Sequence, residues 1–158
     1  MIVVDLGCKT YDDTDSIGYL IDRFHPEILF GFDPHPELEE GVEVRDGTVV
    51  VTRRLAAWTY RTPLRFMLVD SSSRITTYGD ETVQAFDFPG WLLTLPVPVI
   101  VKMDIEGAEY EVLRPILKGA DERISLLLIE WHPEQPYDAG SRDWLLGRLR
   151  CPVEEWQL

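Results

Sequence analysis

Basic residues are scarce in this chain: 15 Lys and Arg stand against 28 Asp and Glu among 158 residues, a formal net charge of −13. Phosphate backbones and anionic membrane surfaces reward clustered Lys and Arg, so neither nucleic acid nor a membrane is an expected partner. Cysteine is almost missing. Cys8 and Cys151 are too few for a disulfide scaffold, no C-x-x-C spacing points to zinc, and a reducing cytoplasmic setting is expected. Long hydrophobic runs are missing as well: the longest are strand-sized, and the opening MIVVDLGC carries no basic leader. No signal peptide and no membrane span are therefore expected. What is present, with 45% hydrophobic residues, is enough for one domain over 1–158 with a real core.

Short apolar runs rich in β-branched residues recur at 2–4, 28–32, 49–51, 97–101 and 126–129, and they read as buried strands. Between the first two, Ile17, Leu20, Ile21 and Phe24 follow the spacing of an amphipathic helix over 14–24, with Asp13, Thr14 and Asp15 as capping oxygens. A second helix is predicted after Gly107, carrying Val112, Leu113, Ile116 and Leu117 on one face, kinked or split by Pro115 and stopped at Gly119. A third is predicted from Ser141 as N-cap through Trp144, Leu145 and Leu149, and the closing VEEWQL reads as an edge strand. This alternation implies an α/β fold with a mostly parallel sheet flanked by helices. The stretch 64–88 breaks the rhythm: RFMLV and VQAFDF around SSSRITTYGDE read as an antiparallel hairpin insertion.

Four segments carry chemistry. In VVDLGCKTYDDTDS a strand runs into a turn at Asp5 and Gly7, where an α/β sheet would meet a nucleotide; a plain turn explains the same residues. In LFGFDPHP, Asp33 ends the next strand roughly 20 to 30 residues beyond Gly7, the position of an acid that hydrogen-bonds a ribose diol. Capping of the turn made by Pro34 and Pro36 is the other role open to it. VIVKMDIEGAEYEVL brings Lys102, Asp104 and Glu106 to the end of a buried strand, as a site or as a structural ion pair. LLLIEWHP puts Glu130 and His132 on one side of a strand end, where a carboxylate would orient the imidazole or raise its pKa for proton abstraction from a hydroxyl. A satisfied strand-end histidine is the alternative.

Taken in order, VVDLGCKTYDDTDS, GFDPHP, KMDIEGAEYEVL and IEWHP resemble the FkbM-type family of S-adenosylmethionine-dependent methyltransferases. The resemblance spans nearly the whole chain, and its most specific element is KMDIEGAEYEVL with the later I-E-x-H. It implies a Rossmann-like methyltransferase sheet and methyl transfer to a hydroxyl of a sugar or other small molecule. By the same resemblance, Asp5, Gly7, Cys8 and Lys9 correspond to the cofactor loop, with Ser16 opening the following helix. Asp33 and Pro34 match the acid and proline after the second strand, and Ala56 and Ala57 the stretch bordering the adenine. Asp104 and Glu106 match the acids of D-x-E-G, and Glu130 and His132 the later acid and histidine. The chain departs from the family where Lys9, Thr10, Tyr11 and Asp12 stand in place of a second glycine.

The expected mechanism has Asp33 holding ribose, Asp5 or Asp104 facing the ammonium of the cofactor, and His132, aided by Glu130 or Glu106, taking the hydroxyl proton. An acidic chain also suits a cofactor bearing a sulfonium and an ammonium. No metal is required. A variant uses Asp104, Glu106, Glu130 and His132 to hold Mg or Mn. The alternative of another class is a catalytically silent cofactor-binding module or assembly subunit. A dinucleotide-dependent oxidoreductase is not favoured, because no G-x-G-x-x-G follows the first strand.

Overall fold

A computed structural model describes residues 1–8, 15–68, 73–96, 98–132 and 139–156. Its main sheet is built from strands buried on both faces. In β1 (Ile2–Leu6) and β9 (Val99–Met103) every residue is buried, as continuous β-branched runs require when helices cover both sides. β2 (Ile28–Phe32), β4 (Thr48–Arg53), β10 (Ile124–Ile129) and the short edge strand β11 (Val153–Glu155) run parallel to them, and β3 (Gly41–Arg45) lies antiparallel on β4. The strand order is β11-β10-β9-β1-β2-β4-β3, so the fold is mixed α/β with a mostly parallel sheet.

The helix α1 (Ser16–Phe24) covers one face and buries Leu20 and Ile21 against Val3, Leu29, Ile100 and Leu128. Asp15 caps it by accepting from the Gly18 N–H at 2.8 Å; the other expected caps, Asp13 and Thr14, lie outside the described residues. Against the opposite face pack α2 (Phe88–Thr94), α3 (Glu109–Ile116) and α4 (Ala139–Leu146), which bury Leu92, Leu113 and Leu145 in the larger core. Among the described residues no helix is long and apolar enough to cross a membrane.

Between β4 and β9 the chain builds a second sheet, β5-β8-β6-β7, from β5 (Ala56–Trp58), β6 (Pro63–Met67), β7 (Arg74–Ile75) and β8 (Glu81–Asp87). β6 and β8 are antiparallel, as expected of 64–88, whereas β5 joins β8 in parallel. Stacked rings of Phe32 and Phe86, 4.5 Å between centroids, tie the two sheets together.

Several elements differ from expectation. Phe88 opens α2 rather than closing a strand, because the Asp87 carboxylate accepts from the Gly90 N–H and Pro89 suits the first helical turn. Pro115 does not split α3, which runs unbroken from Glu109 and ends one residue after the proline, at a place where a missing N–H stops a helix rather than dividing it. Ser141 sits inside α4 instead of capping it, and Leu149 lies beyond the helix. β3 was not anticipated, although its link to β4 is the dipeptide Asp46-Gly47 with both φ angles positive, a two-residue hairpin turn.

Because the strands are parallel, β1, β2, β9 and β10 end at one edge: Leu6 is in register with Phe32 and Met103, and Met103 with Ile129. Gly7 there has φ +82, and its N–H donates to the Phe32 carbonyl at 2.9 Å. A Cβ on Gly7 would lie 1.7 Å from the Asp104 carbonyl oxygen. The glycine is thus demanded by the neighbouring strand end. Gly7→Ala is expected to cost at least about 2 kcal/mol, through the positive φ and the displaced Asp104 backbone, and the denaturation midpoint will measure it.

Candidate active site

At the end of β9 the chain turns sharply through Glu106 (φ 53) and Gly107 (φ 96). A non-glycine residue in the left-handed region is stored strain, and here it folds the segment back over the start of α3. Glu109, the first residue of α3 and fully buried, collects the exposed donors of this turn. Its carboxylate accepts from the Ile105 N–H and the Gly107 N–H, each at 3.0 Å. The same carboxylate holds Nδ1 of His132 at 3.0 Å.

His132 arrives two residues beyond Glu130, at the end of β10. Its Nε2 lies 3.5 Å from Glu106 Oε2, 3.8 Å from Glu130 Oε1 and 3.9 Å from Asp104 Oδ1. One imidazole is therefore surrounded by four carboxylates from two strand ends and a helix start. The four residues expected to carry catalysis come together here, and Glu109 joins them. Glu109 escaped the sequence reading because an acid in the first turn of a helix is the ordinary complement to the helix dipole; its spacing after Glu106 in D-I-E-G-A-E was the available signal.

Burial opposes charge on His132, but the Glu109 hydrogen bond and the negative charges of Glu109, Glu106 and Asp104 outweigh it and raise the pKa to about 9. Burial also raises Glu106 and Glu130. The neighbouring acids reinforce both shifts and the imidazolium opposes them.

The end of β1 has a different character. Asp5 is fully buried and in register with Lys102. Its Oδ2 accepts from Ser16 Oγ at 2.7 Å, and its Oδ1 faces Lys102 Nζ at 3.1 Å. Lys102 Nζ also donates to the Gly7 carbonyl at 2.7 Å and lies 3.4 Å from Asp104 Oδ2. Burial works against the ammonium, yet Asp5 and Asp104 hold its pKa above the ordinary lysine value. Cys8 is buried, and burial together with Asp5 and Asp33 pushes its thiol well up, away from nucleophilic chemistry.

At the end of β2, Asp33 Oδ1 accepts from the His35 N–H at 2.8 Å, the turn-capping role that the Pro-flanked sequence also allowed. Pro34 lines an open cleft of about 250 Å³ between this turn, Arg54 and the strand β8. Ala56 and Ala57 are buried in β5, which packs against α2 and α3. Lys9 lies outside the described residues.

The raised His132 pKa has a consequence for stability. The folded value of about 9 exceeds the ordinary 6.5, so its contribution is complete below 6.5 and disappears as pH rises through about 9. Unfolding free energy should decline over that interval, and less steeply in His132→Asn. Equal slopes in denaturant titrations at several pH values would refute the shift.

The Methyltransferase FkbM domain model matches residues 67–151, a span holding β9, the Glu106 turn, Glu109 and His132. Asp5, Gly7 and Asp33 lie ahead of it. No curated protein and no solved structure matches the chain. The family match covers more than half of the 158 residues and includes the carboxylate-caged histidine: the chain belongs to the FkbM methyltransferase family.

Proposed function

We propose that this protein transfers a methyl group from S-adenosylmethionine to a hydroxyl oxygen of a small molecule or sugar, on a sheet of the Rossmann-like methyltransferase kind. The observation that carries the proposal is convergence. Four parallel strands end in register at one edge, and Gly7, Asp33, Asp104 with Glu106, and Glu130 with His132 follow them. Ligands of open α/β sheets sit at that edge.

The chemistry of the donor set suits such a cofactor. Asp33 supplies a carboxylate for a ribose diol. Asp104, with a quarter of its side chain exposed although it also lies beside Lys102, is the acid for the ammonium, because Asp5 is fully buried between Lys102 and Ser16. Gly7 serves the backbone packing described above. S-adenosylmethionine, when bound, supplies an electrophilic methyl group. His132 then has one task, to receive at Nε2 the proton that the acceptor hydroxyl loses, while Glu109 holds the opposite ring nitrogen. The net charge of −13 favours a small acceptor over a nucleic acid.

A base with a pKa of about 9 is mostly protonated at neutral pH. The rate kcat/KM is accordingly expected to climb about tenfold per pH unit and level off near 9. Labelled-methyl transfer to a panel of hydroxylated acceptors, with His132→Ala about 10² to 10⁴ slower, is the test. Unchanged turnover in His132→Ala removes the histidine as base. Tight cofactor binding with no product across the panel would favour the silent binding module.

A second reading has its own observation. Asp104, Glu130 and His132 each offer a donor atom, all within 4.8 Å of one another. Two carboxylates and an imidazole suit Mg or Mn, which would hold an acceptor diol. Full activity after exhaustive chelation dismisses it.

A further inference from the structure

We propose that Lys102 is a positioning residue that locks the turn after β1 to the His132 site, so that one buried ammonium sets both the cofactor seat and the proton acceptor. The inference rests on the cofactor reading above for what the turn holds.

Lys102 lies in β9, between β1 and β10, and is 1% exposed. An ammonium has three protons, and three acceptors lie around this one: the Gly7 carbonyl at 2.7 Å, Asp5 Oδ1 at 3.1 Å and Asp104 Oδ2 at 3.4 Å. The Trp156 ring lies 5.6 Å from the same Nζ. A buried ion pair is poor evidence for stability, since apolar residues of similar volume often serve as well or better. Asp5 alone would suffice as a structural partner. The two further contacts reach the ligand edge.

Each has a directional consequence. A peptide bond is planar and trans, so holding the Gly7 oxygen toward Lys102 aims the Cys8 N–H the opposite way. The turn is thereby given one orientation. On its other side the ammonium holds Asp104, whose Oδ1 lies 3.9 Å from His132 Nε2. The polar path runs from Ser16 at the start of α1, through Asp5, Lys102, Asp104 and His132, to Glu109 at the start of α3. Both helix starts are thus tied to one cation.

Two variants separate positioning from simple support. Lys102→Met keeps the volume but strands the buried Asp5. Asp5→Asn combined with Lys102→Met removes both charges and leaves an amide oxygen for Ser16. The double variant is expected to recover most of the melting temperature lost by Lys102→Met. In both variants the Kd for S-adenosylhomocysteine, measured by calorimetry, should rise about tenfold or more and kcat should fall, with the acceptor KM unchanged. A double variant with the parent's melting temperature, Kd and kcat overturns the proposal and leaves a structural ion pair. If Lys102→Met does not fold, the double variant decides alone. Parent protein that binds no S-adenosylhomocysteine overturns the cofactor reading itself, whereas equal binding by parent and double variant overturns only the role of Lys102.

Discussion

The ammonium of Lys102, held between the ends of β1 and β9, is the constraint on which this edge of the sheet depends. Asp5 and Lys102 are cross-strand neighbours in the middle of a sheet whose other central positions are apolar. Neither charge is tolerable there without the other, since removing one partner of a buried pair typically costs about 3 to 5 kcal/mol. Satisfying that ammonium also requires the Gly7 carbonyl, and Gly7 in turn admits the Asp104 backbone, which no side chain at that position would allow. Electrostatic demand and close backbone approach therefore select the same arrangement of strand ends.

From that arrangement follows the electrostatics of the site. Asp104, Glu106, Glu109 and Glu130 face a single imidazole, and Glu109 is pinned by backbone N–H groups that the strained Glu106 turn presents. The imidazolium is the natural counter-charge for such a cage, hence its raised pKa. Membership of the FkbM methyltransferase family rests on the segment carrying this cage, in which an imidazole is held at one ring nitrogen by Glu109 beside three further acids at strand ends.

The rest of the fold supports that edge from a distance. The crossover from β4 to β9 takes the form of a second sheet and α2, sealed to the main sheet by Phe32, Phe86 and Trp91. This aromatic contact connects the hairpin to β2, which ends just before Asp33, whose carboxylate organises the following turn.

The strands β1, β2, β9 and β10 and the helix α1 were legible in the residues themselves, because burial on both faces or along one stripe writes a local pattern. So was the gathering of Asp104, Glu106, Glu130 and His132, since acids and a histidine at parallel strand ends must share an edge. β5 and α2 were not legible, being short and decided by what packs on them, and α4 holds Ser141 inside it and stops before Leu149. The partners of the site residues belong to the tertiary structure alone. Lys102 meets the Gly7 carbonyl across 95 residues of chain, and Glu109 meets His132 across 23. Local sequence sets which residues reach a strand end, but the order of strands in the sheet decides which strand end lies beside them.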